Sequence, residues 1–278
     1  MIRTSKQLKD KVRNLSRSNS MVAQTLIRNF MMERFLERIA LSKYRNNFIL
    51  KGGMLVSAVI GIETRATMDI DTTVKALPLD MERAKAVIQD IIGIEIDDGV
   101  TFRITKMTDI MEGHDYPGIR FMLEATQDKL RQVIKIDIST GDVITPGAIE
   151  YAYKLMFEDR YISLWTYNLE TLLGEKMETV MSRGTANTRM RDFYDIHTIV
   201  QQEKDHLDFE ILKKAFYATC RKRESDKMIP QISSIMEDIQ GNTGMMKDWE
   251  NYRKDNYYVG DVGWNDVLKE VCMLADIF

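Results

Sequence analysis

Along the first half of the chain the spacing of apolar positions alternates between helical and strand-like periods. Over 20–41, Leu26, Phe30, Phe35, Ile39 and Leu41 fall at helical spacing and predict one long helix. Phe48-Ile49-Leu50 reads as a short buried strand running into Gly52-Gly53, and 54–60 continues as a helix that Gly61 ends. The Thr-rich run around Asp69 and Asp71 reads as a strand, and Pro78 breaks the pattern after it. Residues 80–93, with Ala84, Val87, Ile88, Ile91 and Ile92, suit a helix packed on one side of a sheet. Three strand candidates follow, 101–107, 118–124 and 132–139, separated by turn-rich segments that contain Gly113, Pro117 and Gln127-Asp128. Gly141 and Pro146-Gly147 mark a break. Beyond it the periodic segments 168–183, 189–202, 208–222, 227–239 and 260–275 are all helical. The pattern predicts an α+β chain with a helical lead-in over 1–45, a mixed sheet with helices over 46–150, and a helical bundle over 151–278.

Composition narrows the picture. The chain has 278 residues, 44% hydrophobic and 29% charged, which is a globular rather than a disordered balance. A net charge of −3 predicts no nucleic-acid partner by itself, so any such surface must be local. The local excess is at the start, where Arg3, Lys6, Lys9, Lys11, Arg13 and Arg17 face one acid, Asp10, on what reads as an exposed helix. Lys213-Lys214 and Arg221-Lys222-Arg223 add smaller clusters. No run approaches the about 18 apolar residues of a membrane span, and the basic N-terminus lacks the apolar core of a secretory signal. Cys220 and Cys272 read as two reduced thiols of a cytoplasmic protein, and His114, His197 and His206 are scattered without zinc spacing.

The chemistry concentrates in residues 50–71, LKGGMLVSAVIGIETRATMDID. Asp69 and Asp71 are two apart on a strand and therefore share a face, where like charges repel unless a cation lies between them. In the run VIKIDIS, Ile134, Ile136 and Ile138 face one way and Lys135, Asp137 and Ser139 the other, so Asp137 offers a third carboxylate. Three carboxylates suit Mg²⁺, a hard cation that shares oxygen ligands with phosphates, and they can hold two ions. A Gly-Gly turn opening a helix allows close backbone approach to a phosphate. The combination points to chemistry on a nucleoside triphosphate.

The chain resembles the AbiEii/AbiGii nucleotidyltransferase toxins within the DNA polymerase β-like superfamily. The matching blocks are Leu50-Lys51-Gly52-Gly53, Arg65-x-Thr67-x-Asp69-Ile70-Asp71, Lys135-x-Asp137, and Glu175-Lys176 with Arg183 and Arg191-Asp192-Phe193-Tyr194-Asp195. Phe35-Leu36 through Leu41-Ser42-x-Tyr44 looks like the family's helical lead-in. The likeness spans about residues 20–200, and the remainder matches only in being helical. It implies a polymerase β-like sheet over 46–150, with Asp69, Asp71 and Asp137 holding two Mg²⁺ ions. It further implies nucleotide contacts at Lys51, Gly52, Gly53, Arg65, Thr67 and Lys176, and catalytic roles for the three acids, Lys176 and Asp192.

Such toxins serve type IV toxin–antitoxin pairs in abortive infection by phage. The resemblance implies an NTP substrate (GTP or CTP among the possibilities), a tRNA 3′ acceptor whose modification stops translation, and a separately encoded antitoxin that need not touch the toxin. Transfer onto a protein hydroxyl, or GTP binding without catalysis, are the rival readings. Several residues keep two readings. Lys176 lies beside Leu172, Leu173, Met177 and Val180, and either snorkels to solvent or meets a phosphate. Asp192 either orients Lys176 or Arg191 or joins an intrahelical pair, Asp195 reads as support for packing around Tyr194, and His197 reads as a core histidine beside Phe193 and Val200.

Overall fold

The structure, a computed structural model, describes residues 1–16, 20–61, 65–77, 80–112 and 116–278. Arg17, Pro78, Gly113 and His114 lie outside the described residues. Two compact units emerge: Met1–Ala58, Ala66–Asp142 and Ile149–Thr166 form the first, and Val59–Arg65, Val143–Ala148 and Tyr167–Phe278 the second.

The first unit starts with α1 (Ser5–Ser16) and α2 (Ser20–Leu41), followed by β1 (Phe48–Lys51) and α3 (Gly52–Ile60). Then come β2 (Asp69–Val74), α4 (Met81–Ile92), β3 (Val100–Glu112), β4 (Tyr116–Gln127), β5 (Leu130–Thr140), β6 (Ile149–Lys154) and β7 (Tyr161–Thr166). The strands make one seven-stranded mixed sheet in the order β3-β4-β5-β2-β1-β7-β6. β2 runs parallel to β5 and antiparallel to β1, while β7 runs parallel to β1. The alternation along β2 and β5 sends Ile70, Ile134, Ile136 and Ile138 into the core and leaves the acids on the other face. α2 packs against β5, β7 and α4, so it covers the apolar side. The outer strand β3 carries a register shift between Ile104 and Lys106.

The long helix α2 is not a plain amphipathic one. Glu33, Arg34, Glu37 and Arg38 are all buried on it. Arg38 grips Asp98 with two bonds of 2.8 and 3.1 Å and donates to the Val100 carbonyl, tying α2 to the start of β3. Arg34 pairs with Glu37 and with Glu158, and Arg160 closes the cluster on Glu37 and Glu158. The charges of Arg34, Glu37 and Arg38 persist at this depth because each is met by an opposite charge or a backbone group.

The second unit is helical: α5 (Leu169–Arg183), α6 (Met190–Glu203), α7 (Phe209–Lys222), α8 (Ile232–Gln240), α9 (Thr243–Asp255) and α10 (Trp264–Ala275). Asn168 and Asp208 cap α5 and α7 by accepting from backbone N–H groups one turn in. Gly174 lets α5 and α7 meet closely, since a Cβ there would lie 2.9 Å from the Phe216 nitrogen. Among the described residues no helix is long and apolar enough to cross a membrane.

The expected strands and helices are present, with three additions, and the sheet runs on through Thr166 into the stretch expected to be purely helical. β6 and β7 were not expected, and neither was α9. The helix expected over 227–239 is α8 alone, because 226–231 form a 3₁₀ turn around Pro230. α1 is exposed only in part: it buries Leu8 and Val12 while Lys9, Lys11 and Arg13 face solvent.

Glu33 accepts two backbone bonds of 3.1 Å from Met156, yet burial, opposed by Arg34, pushes its carboxyl up from 4.5 to about 8. Between those values the folded protein holds a proton that the unfolded chain releases, so stability falls as pH rises from 4.5 to about 8 and then levels. Melting temperature is expected to decline across that window in the wild type, and Glu33→Gln to flatten the decline, as scanning calorimetry at several pH values would record.

Candidate metal centre and a buried lysine

Register places the acids. Lys51 of β1 lies opposite Asp71 of β2, Asp71 lies opposite Asp137 of β5, and Asp137 lies opposite Arg120 of β4. A line drawn across four neighbouring strands therefore reads cation, acid, acid, cation. One row along, Asp69 faces Lys135. One carboxylate oxygen from each of Asp69, Asp71 and Asp137 lies within 4.8 Å of the other two.

Each cation has a definite partner. Arg120 holds Asp137 with two bonds, Nε to Oδ1 at 2.8 Å and a terminal nitrogen to Oδ2 at 2.7 Å. Lys135 Nζ is 2.5 Å from Asp69 Oδ2 and 3.7 Å from Asp137 Oδ2. Lys51 Nζ is 2.8 Å from Asp142 Oδ2, which also accepts from Ser139 Oγ at 2.5 Å. Burial works to raise the Asp142 carboxyl, but Lys51 together with Ser139 and Thr73 outweighs it and holds it below the usual carboxylate range.

Asp71 has the least favourable setting of the three. It keeps a window to solvent but is crowded by protein on its other sides, and burial, with Asp69 next to it, pushes its carboxyl up to about 6. Lys51 and Lys135 offset only part of that rise. A hard, oxygen-only cluster with uncompensated negative charge fits a divalent cation of the Mg²⁺ type, and Asp69, Asp71 and Asp137 are the residues that would hold it.

The glycine pair does more locally than its sequence suggested. Gly52 has a φ of +63°, and a Cβ there would collide with Asp71, lying 2.8 Å from its Cγ. The side chain that Gly52 lacks is thus the space the Asp71 carboxylate occupies. Composition and spacing could not reveal this, because the two residues meet only through the β1–β2 pairing. Thr67 is buried and donates from Oγ1 to the Asp69 carbonyl at 3.3 Å, steadying the entry to β2.

The remaining motif residues form a second constellation, within the helical unit. Lys176 Nζ is 2.8 Å from Asp192 Oδ1 and 2.7 Å from Asp195 Oδ2. Arg65 clamps the same Asp195 with bonds of 2.8 and 3.2 Å. Lys176, Arg65 and Asp195 are all buried. Burial alone would raise the Asp195 carboxyl, but the charges of Arg65 and Lys176 win and bring it down to about 2. Burial likewise opposes the Lys176 charge, and Asp192 and Asp195 more than restore it. A snorkelling lysine is therefore not what the fold contains. Asp195 is an ionic hub rather than a packing support for Tyr194, which bonds instead to the Tyr258 carbonyl at 3.1 Å. Asp192 does orient Lys176. His197 Nδ1 lies 3.0 Å from Glu270, a paired histidine against α10.

The basic clusters divide. Arg223 turns inward to Glu178 at 2.5 Å and to Thr179 at 3.1 Å, so the run 221–223 is not one outward patch. Lys213 donates to the Ile277 carbonyl at 2.7 Å.

A family model described as nucleotidyl transferase AbiEii toxin, type IV TA system, matches residues 34–269. The crystal structure of JHP933 from Helicobacter pylori is similar with a TM-score of 0.53 at 13% identity, covering 91% of this chain and 90% of that one. A second H. pylori structure, of a candidate nucleotidyltransferase, gives 0.50 at 14% identity over 91% and 93%. At such identities the likeness is one of fold. No curated protein matches the sequence.

Two outcomes follow from this geometry. Gly52→Ala is expected to cost about 1–2 kcal/mol through its left-handed backbone, and to weaken divalent-cation binding by displacing Asp71. Calorimetric titration with Mg²⁺ checks the second effect, and an unchanged affinity would break the link between the two residues. Lys176→Met leaves the buried Asp195 to Arg65 alone and takes the lysine from Asp192, and is expected to destabilise the protein by about 3–5 kcal/mol, measured by chemical denaturation. A melting curve like that of the wild type would mean that the buried pairs contribute nothing net.

Proposed function

The chain belongs to the AbiEii family of nucleotidyltransferase toxins of type IV toxin–antitoxin systems, and on that premise we propose that it transfers a nucleoside monophosphate from an NTP to the 3′ hydroxyl of RNA, with the tRNA acceptor end as target. The observation that carries the reading is the convergence of Asp69, Asp71 and Asp137 on one sheet face. A protein that only bound nucleotide would have no use for three carboxylates forced together. In the reaction the RNA 3′ oxygen bonds to the α-phosphorus while the bond to the bridging oxygen breaks. Pyrophosphate leaves with that electron pair, and the hydroxyl proton passes to a carboxylate of the site. Mg²⁺, of which the three acids could hold two ions, supplies charge neutralisation on the triphosphate and acidifies the attacking hydroxyl.

The chain's own residues do the rest. Arg120 fixes the plane of the Asp137 carboxylate, and Gly52 leaves room for Asp71. Lys51 and Gly53 are proposed to serve the nucleotide, as the family resemblance implies. The exposed Lys9, Lys11 and Arg13 on α1 offer RNA phosphates a sequence-independent grip. The toxin would work in the cytoplasm against a cognate antitoxin encoded separately.

The deciding experiment incubates the purified protein and Mg²⁺ with each labelled NTP in turn, plus total RNA or total protein. Label is expected in RNA, and Asp69→Asn, Asp71→Asn and Asp137→Asn are expected to lose it by about 10²-fold or more. Label only in protein would move the acceptor to a protein hydroxyl, and label in neither would leave a non-catalytic nucleotide binder. Reversing the charges of Lys9, Lys11 and Arg13 is expected to raise KM for RNA and flatten its salt dependence, without changing slow pyrophosphate release from NTP alone.

A further inference from the structure

We propose that Lys135 is the resident cation of the acidic cluster, and that a divalent ion loads by displacing it; the inference rests on the reading of the three acids as a metal centre. Lys135 reaches over from β5 and sets its ammonium between two of the three carboxylates, 2.5 Å from Asp69 Oδ2 and 3.7 Å from Asp137 Oδ2. A Mg²⁺ ion ligated by those carboxylates needs its oxygens at about 2 Å, so ammonium and ion compete for the same space. The other cations do not compete in this way. Arg120 approaches Asp137 from the outer strand as a fixed planar fork, and Lys51 is held by Asp142.

The residue type suits the task. A lysine carries a compact charge on a four-carbon stem and can swing aside, whereas an arginine fork would lock both oxygens. The Lys135 side chain is 28% exposed, so it has solvent to withdraw into. Two consequences follow. The cluster stays assembled without metal, because the ammonium offsets part of the repulsion between the acids. The ion must also replace an existing ion pair, which sets a threshold concentration for loading.

The test reads metal binding and side-chain exposure on the full chain, with Mg²⁺ alone as the probe. Lys135→Met is expected to bind Mg²⁺ about tenfold more tightly than wild type. Lys106→Met, which removes the same charge from an exposed lysine of β3, is expected to change affinity by less than about threefold. Mass spectrometry after brief treatment of the wild type with an amine-acetylating reagent is expected to show more label on Lys135 when Mg²⁺ is present. Equal or weaker binding by Lys135→Met, or protection of Lys135 by Mg²⁺, overturns the proposal while the metal centre stands. Should neither the wild type nor folded Lys135→Gln bind Mg²⁺ at all, the metal-centre reading falls and this inference with it. The labelling arm needs no variant, so a misfolded substitution does not rescue the idea.

Discussion

The first unit is organised around a conflict: parallel pairing of β2 with β5 sets Asp71 beside Asp137, two like charges on adjacent strands. Strands lie about 4.8 Å apart, where like charges at an intermediate dielectric repel by about 3 kcal/mol. The neighbouring strands answer this with Lys51 and Arg120 at the two ends of the same row, and Lys135 in the next. None of these positions can shift alone. A one-residue slip of β2 along β5 would turn Asp69 and Asp71 into the core and Ile70 out of it. The apolar face that α2 covers therefore locks the register that brings the acids together.

Energy stored in this way recurs elsewhere in the chain. Gly52 adopts a backbone conformation that other residues resist, and it does so where Asp71 needs the volume. Glu33 is buried on α2, where burial pushes its carboxyl up to about 8. In the helical unit Asp195 is fully buried between Arg65 and Lys176. Each arrangement costs desolvation that well-packed apolar residues would not. The difference is that the sheet cluster leaves negative charge unmet, whereas the helical one is balanced internally.

The legible part of the chain was the part with regular alternation. β2 and β5 announce themselves because isoleucine and polar residues alternate on them, and the three acids could be placed on one face from that rhythm alone. The helices α2, α4, α5, α6 and α7 carry plain helical spacing. β6 and β7 fall within the stretch expected to be helical, although Ile162, Leu164 and Thr166 do alternate inward; six residues with a tyrosine and a tryptophan on the outer face are too short a run to stand out. α9 is largely polar, buries only Met245 and Trp249, and so shows no stripe. Residue pairs distant in sequence were the other blind spot. Gly52 with Asp71, Arg120 with Asp137 and Arg65 with Asp195 are each joined by tertiary pairing, and no local spacing encodes it.

The shift in register between Ile104 and Lys106 has a consequence for life in a crowded cell. β3 is one of the two edge strands, thirteen residues long, and its outer edge would otherwise be a template on which further strands of other molecules could stack. The shift interrupts that template midway, and the exposed charges of Arg103 and Lys106 flank the interruption. A protein built around so long an edge can then accumulate without its copies joining strand to strand into fibrous aggregates.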